Sequence, residues 1–248
     1  MKPTRKHILS ALLLSAGLAV ALPAPVQAAI SLDRTRAIFP GSETSLALSI
    51  SNASSKKPYL AQAWLEDAQG NKVTSPLIVT PALQRVEPGQ KSIIRVNALP
   101  EVASLPQDRE SLFYFGVREV PPRSGQPNVL QLALQTRIKL FYRPASIVAE
   151  RYSRKDDKLV LHKIPGGYRI ENPTPYYITV IGVSGGKKQP VAKDFTSVMI
   201  APKSSETVAG GPYATPWITT INDFGGRPGL SFRCNGDTCR ADSDEQAG

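Results

Sequence analysis

Asn128-Val129-Leu130-Gln131-Leu132-Ala133-Leu134 sets Leu130, Leu132 and Leu134 in alternation with Gln131, Ala133 and Gln135, and two residues later the chain turns cationic at Arg137 and Lys139. Side chains alternate faces along a β-strand, so this run carries one apolar edge and one small or polar edge. The pattern predicts a strand from Val129 to Tyr142. Taken alone, it reads as a half-buried strand of its own domain; the residues around it point instead to a strand that takes a partner.

The same period recurs upstream, where Leu46, Leu48 and Ile50 alternate with Ser45, Ala47 and Ser49. Further short strands are predicted at Tyr59 to Leu65, Lys91 to Val96 and Ser111 to Val117. Pro40-Gly41, Gln69-Gly70-Asn71, Pro88-Gly89 and the stretch from Pro121 to Pro127 supply the turns between them. After Arg143-Pro144 the composition becomes polar and charged from Glu150 through Asp157. Strand signals then resume at Leu159 to His162, Tyr168 to Ile170, Tyr176 to Val183, Ser197 to Ile200, Glu206 to Val208, Trp217 to Ile221 and Gly229 to Arg233. No amphipathic helical stripe of ten or more residues follows the N-terminal region. The fold class is therefore all-β, as two sandwiches with immunoglobulin-like connectivity and a boundary close to Ile147. The tail from Ala241 reads as a polar, frayed end.

Lys2, Arg5 and Lys6 precede an apolar stretch from Ile8 to Leu22, and Val26-Gln27-Ala28 has the small-residue pattern of a signal-peptidase site. Residues 1–28 are thus expected to be a cleaved secretory leader, with one domain over 29–147 and a second over 148–248. No later segment approaches the roughly 20 apolar residues of a membrane-spanning helix, so no membrane insertion is expected. Loss of the three leader cations takes the formal net charge of +10 to about +7. The remaining lysines and arginines are scattered rather than clustered, which argues against nucleic acid as a partner. Asn52-Ala53-Ser54 fits a glycosylation sequon but reads as a strand-end turn.

The two cysteines, Cys234 and Cys239, are separated by four residues in a chain read as exported, and are expected to form a local disulfide across a turn. A zinc site would need a second ligand pair, and the sequence has none. His162, the only histidine after the leader, sits within a predicted strand with no nucleophile elbow, paired-histidine motif, phosphate loop or dinucleotide fingerprint in the chain. The reading is of a protein without catalytic residues, cofactor or metal.

Five segments together resemble a known family: Ser31-Leu32-Asp33-Arg34-Thr35-Arg36, the run from Pro106 to Phe115, Leu134 through Pro144, Ile170 to Tyr177, and Asn222-Asp223-Phe224-Gly225-Gly226-Arg227-Pro228. They are similar to periplasmic chaperones of the chaperone–usher pilus pathway, and the likeness runs through the whole chain after the leader. The resemblance implies a boomerang of two immunoglobulin-like domains, located in the periplasm, with a subunit-binding cleft between them. It implies that Arg36, in the first strand, and Lys139, in the last strand of the first domain, anchor the C-terminal carboxylate of a pilus subunit. Asn128, Leu130, Leu132 and Leu134 are then the donor strand lent to a subunit that lacks its own last strand. Glu110, Arg143 and Asp223 are implied to form an interdomain ionic network.

Alternation places Lys139 on the face opposite the leucines unless a bulge intervenes. The short loop between Val120 and Asn128 resembles that of the subclass serving rod-like pili. The partners so implied are pilus subunits and an outer-membrane usher, with self-association or a preceding loop shielding the apolar segment in the subunit-free protein. The rival reading is a structural pilus subunit or adhesin-like sandwich protein; such a subunit should begin with an extension of alternating hydrophobics, where Ser31 to Arg36 offers charge. A sugar-acting enzyme on a sandwich scaffold is disfavoured by the missing site.

Overall fold

The structure, a computed structural model, describes residues 28–125, 128–148, 150 and 153–242. All but the last residue of the expected leader, and the tail beyond Asp242, lie outside these residues. The first group of strands comprises β1 (Ile30–Leu32), β2 (Arg36–Pro40), β3 (Ser45–Asn52), β4 (Tyr59–Glu66), β5 (Lys72–Val73), β6 (Leu77–Thr80), β7 (Leu83–Val86), β8 (Lys91–Ala98), β9 (Ser111–Val120) and β10 (Gln135–Arg143). They form two sheets, ordered β1-β3-β8-β6 and β2-β10-β9-β4-β5, with β7 also paired to β4. Alternation selects what each sheet buries: Leu48 and Ile50 from β3, Ala61, Ala63 and Leu65 from β4, and Phe113, Phe115 and Val117 from β9 meet in one apolar core.

The second group comprises β11 (Val160–Ile164), β12 (Gly167–Asn172), β13 (Ile178–Ser184), β14 (Val198–Ile200), β15 (Ser204–Ala209), β16 (Trp217–Ile221), β17 (Gly229–Asn235) and β18 (Thr238–Ala241). Their pairing order is β14-β13-β16-β17-β18-β11-β12-β15. The two end strands of that path, β14 and β15, are consecutive in the chain, so the path curls back on itself around a separate core that includes Leu161, Tyr168, Ile170, Val180, Leu230 and Phe232. Two immunoglobulin-like sandwiches result, each with its own core.

Three expectations need correction. The strand expected from Val129 begins only at Gln135. Its antiparallel partner β9 ends at Val120, and Pro121-Pro122 follow; proline has no N–H to offer, so the ladder opposite Leu132 and Gln131 cannot continue. The first strand is split: the chain leaves one sheet after Leu32 and joins the other at Arg36, so Arg36 opens β2 rather than lying in the first strand. Ala241, expected in a frayed tail, is the last residue of β18, paired with Phe232, and Asp242 N–H donates to Ser231 O at 2.9 Å. Asn52 is a strand-end residue, buried, with its amide donating to Lys57 O and Val86 O.

Candidate functional site

β10 organises the region between the two sandwiches. Ile138, Leu140 and Tyr142 enter the first core, which turns Lys139, Phe141 and Arg143 toward the second sandwich. The register with β9 runs unbroken from Gln135 to Tyr142, so no bulge alters this parity. On its other side β10 pairs in parallel with β2, Lys139 against Arg36 through Arg143 against Pro40. Residues 135–138 carry no strand on that side among the described residues, so β2 closes the edge of β10 from Lys139 onward.

Arg36 and Lys139 are thus neighbours on one face. Arg36 is buried, donates from Nη1 to Ile221 O at 3.1 Å, and sits 6.0 Å from the centre of the Phe141 ring. Burial pushes the Arg36 guanidinium down, against the pull of Asp223 and Glu110, neither of which bonds to it. Burial also pushes the Lys139 ammonium down, and the charge of Arg36 adds to the effect. Among the described residues no carboxylate forms an ion pair with either cation. Two adjacent, desolvated cations without a counter-ion are unfavourable in the free protein and are relieved by an anion.

Arg143, four residues further along the same face of β10, is by contrast saturated. Its Nε donates to Glu110 Oε1 at 2.7 Å, and its Nη1 and Nη2 donate to the two oxygens of Asp223 at 2.8 and 3.1 Å. Glu110 Oε2 accepts from Tyr177 N–H at 2.7 Å, and Lys155 Nζ donates to Asp223 Oδ2 at 2.7 Å. Burial pushes the Glu110 carboxyl up against the attraction of Arg143. At Asp223 burial acts in the same direction, but Arg143 and Lys155 together outweigh it and hold that carboxyl below its ordinary range. Phe141 packs against Tyr177 at 5.4 Å, and the Arg143 guanidinium lies 4.9 Å from the Tyr176 ring centre. Asp223 is held by a tight turn in which Gly225 has φ +81°, and a Cβ there would meet Thr35 Oγ1 at 2.5 Å, so glycine is what lets the second sandwich approach the first. A cleft of about 750 Å³ lies beside these groups, lined by Arg34, Arg36, Arg143, Lys155, Tyr177 and Asp223 among others.

In the segment that leads into β10 the apolar row is uncovered. Leu130, Leu132 and Leu134 are 83, 63 and 39% exposed, in backbone that belongs to no strand, and Asn128 has φ 58°.

Residues 29–148 match the family model of the pili and flagellar-assembly chaperone PapD N-terminal domain, and residues 156–232 match that of the pili assembly chaperone PapD C-terminal domain. The chain belongs to the PapD family of pilus-assembly chaperones. Chaperone protein PapD of Escherichia coli is 57% identical to it over 213 residues, 86% of this chain and 89% of PapD. The solved CupB2 chaperone of Pseudomonas aeruginosa is 34% identical with a TM-score of 0.70, covering 83% of this chain and 100% of that one. A solved complex of the Salmonella enterica SafA pilin with the SafB chaperone provides a match at 25% identity and a TM-score of 0.68, covering 85% of this chain and 99% of its counterpart.

This PapD-family chaperone brings Arg36 to Lys139, and Glu110, Arg143 and Asp223 to one another, while Leu130 to Leu134 stand apart from both groups. Cys234 and Cys239 face each other across the β17–β18 hairpin and are joined. Sequence reasoning passed over Tyr177 and Lys155, which complete the Arg143 cluster. Tyr177 stands in one of the segments that carry the resemblance, without a role there, and Lys155 lies in the polar, charged stretch from Glu150 through Asp157. His162 is a β11 strand residue bonded to Glu171 at 3.1 Å. No helix among the described residues is long and apolar enough to cross a membrane.

Proposed function

We propose that the protein captures an incomplete pilus subunit by lending it residues 128–134 as a strand, with the subunit's terminal carboxylate seated between Arg36 and Lys139. The observation that carries this reading is the position of the two unpaired cations, at the point where β2 closes the edge of β10. A strand added along 130–138 has to end there, and a chain end supplies the anion that Arg36 and Lys139 lack. Because the carboxylate terminates the main chain, it can be reached from the face of Lys139 while the leucines fill the subunit's interior from the other, so the opposed parity is no obstacle. The uncovered leucines become the apolar side of the new strand.

The same reading takes residues 1–28 as a leader removed on export to the periplasm, residues 29–147 and 148–248 as the two domains, and an outer-membrane usher as the recipient of the loaded complex. The Glu110–Arg143–Asp223 cluster, which ties β9, β10 and the 222–226 turn together, holds the two domains at a fixed angle. Without a subunit, residues 128–134 are exposed within the single chain, and self-association or the preceding loop is what shields them at high concentration. Neither turnover chemistry nor a cofactor is part of this reading. The test is co-expression in the periplasm with a co-encoded pilus subunit, followed by co-purification with wild type and with the Arg36→Ala, Lys139→Ala double variant. A one-to-one complex lost in the double variant supports the anchor. An undiminished complex removes it, and absence of any complex shifts the weight to a structural subunit.

A further inference from the structure

Glu119 is 5% exposed, and no lysine, arginine or histidine side chain pairs with it among the described residues. Its carboxylate is held by main-chain donors from two distant parts of the chain: Ile30 N–H at 2.9 Å and, more weakly, Leu134 N–H at 3.4 Å. Its own N–H donates to Leu134 O at 3.0 Å, the last rung before the 128–134 segment leaves the sheet. Ala29 is fixed beside it, since Ala29 O accepts from Ala53 N–H at 2.7 Å. A buried carboxylate without a cation is costly, and here a cation can be made on the spot. Hydrolysis of the Ala28–Ala29 bond leaves the new carboxylate on the leader and an α-ammonium on Ala29. Three backbone bonds separate that nitrogen from Ile30 N, a reach of about 3.6 Å, so it falls within about 6.5 Å of Glu119 Oε2.

We propose that Glu119 is the seat of the α-ammonium created by leader removal, and that through Leu134 it positions the root of the donor segment. The inference rests on the leader reading above. The uncleaved chain has only an amide at Ala29, so the charge that completes the seat arrives with maturation, and the exit point of residues 128–134 firms at the same moment. Glu119 touches no part of the subunit in this account; it acts through Leu134.

The test uses the exported, mature protein. Mass spectrometry of its N-terminal peptide first establishes whether the chain begins at Ala29; a different start overturns the leader reading and is recognised before the seat is tested. The titration of the Ala29 α-amine is then followed by NMR on alanine-labelled protein, beside the free peptide Ala29–Arg34 and the Glu119→Gln variant. The expected midpoint in the wild type is about one pH unit above that of the free peptide, falling back in Glu119→Gln, with several-fold faster amide exchange at Leu134. A wild-type midpoint equal to that of the free peptide overturns the proposal, and this comparison needs no variant to fold. Equal midpoints in wild type and variant overturn it as well.

Discussion

Truncating the donor leucines one at a time gives a graded result whose order follows from the free structure. Each Leu→Ala change removes about 2.4 kcal/mol of transfer free energy if the side chain passes from full exposure to full burial. What capture adds is only the part still exposed beforehand. With exposures of 83, 63 and 39%, the loss of affinity is about 2 kcal/mol at Leu130, about 1.5 at Leu132 and about 1 at Leu134. These correspond to about 30-fold, tenfold and fivefold weaker complexes. The free protein should respond in the reverse order, with the thermal midpoint of Leu130→Ala unchanged and that of Leu134→Ala slightly lowered. The assay is dissociation of a purified chaperone–subunit complex into excess competing donor peptide, beside thermal unfolding of each free variant. Equal losses at the three positions, or a larger loss at Leu134 than at Leu130, would show that the row is not buried together against a subunit.

Lys139→Met removes a desolvated cation facing another, so it should abolish capture while the free protein unfolds at an equal or higher temperature than wild type. Lys139 also gives opposite pH trends. Its free-state value is lowered by burial and by Arg36, so the folding penalty of its charge is relieved as pH rises through that lowered value, and stability increases. A bound carboxylate restores the proton, so subunit affinity is full below that window and falls within it; titrating affinity and unfolding together checks both signs. Asp223→Asn breaks the bidentate contact with Arg143 and the one with Lys155, and should cost about 3 kcal/mol and broaden the interdomain distance distribution in spin-label measurements. Asp223 is held below its ordinary range, so its contribution is present above that range and lost as pH falls through the lowered value. Replacing Cys234 and Cys239 by alanine opens a short hairpin loop and should cost about 2 kcal/mol on denaturant unfolding without affecting capture.

Alternation made most of the larger strands legible. Leu46, Leu48 and Ile50 lie in β3 as read, and the Tyr59, Lys91, Ser111 and Trp217 strands begin at those residues. Three short strands escaped because two to four residues carry too little pattern: Lys72–Val73, Leu77–Thr80 and Leu83–Val86 owe their existence to partners across the sheet. The misreading of Val129 to Leu134 is of another kind. Its period is that of a strand, but strand character also needs a neighbour, and Pro121-Pro122 removes the neighbour that β9 would have supplied. The pairing of Arg36 with Lys139 came from resemblance; nothing in two basic residues about a hundred positions apart states that they share a face. Glu119 was overlooked for a related reason, since its partners are main-chain N–H groups that any residue possesses.

The feature that made the sequence reading fail explains how the segment remains available. A strand fully paired on both sides has no free edge to lend, and one fully detached has no fixed register. Here the segment is both: from Lys139 to Tyr142 it is locked between β2 and β9, from Gln135 to Ile138 it is paired on one side, and before Leu134 it is paired on neither. In the proposed complex register is therefore set at the locked end, where the two cations sit, and the apolar gain is realised at the free end. Register of an added strand is a property of period two, so displacing the chain terminus by one residue at Lys139 reverses which side chains meet Leu130, Leu132 and Leu134. In the proposed complex the cations select a chain end and the leucines select what precedes it, since neither group alone would distinguish a subunit's last strand from any other apolar peptide.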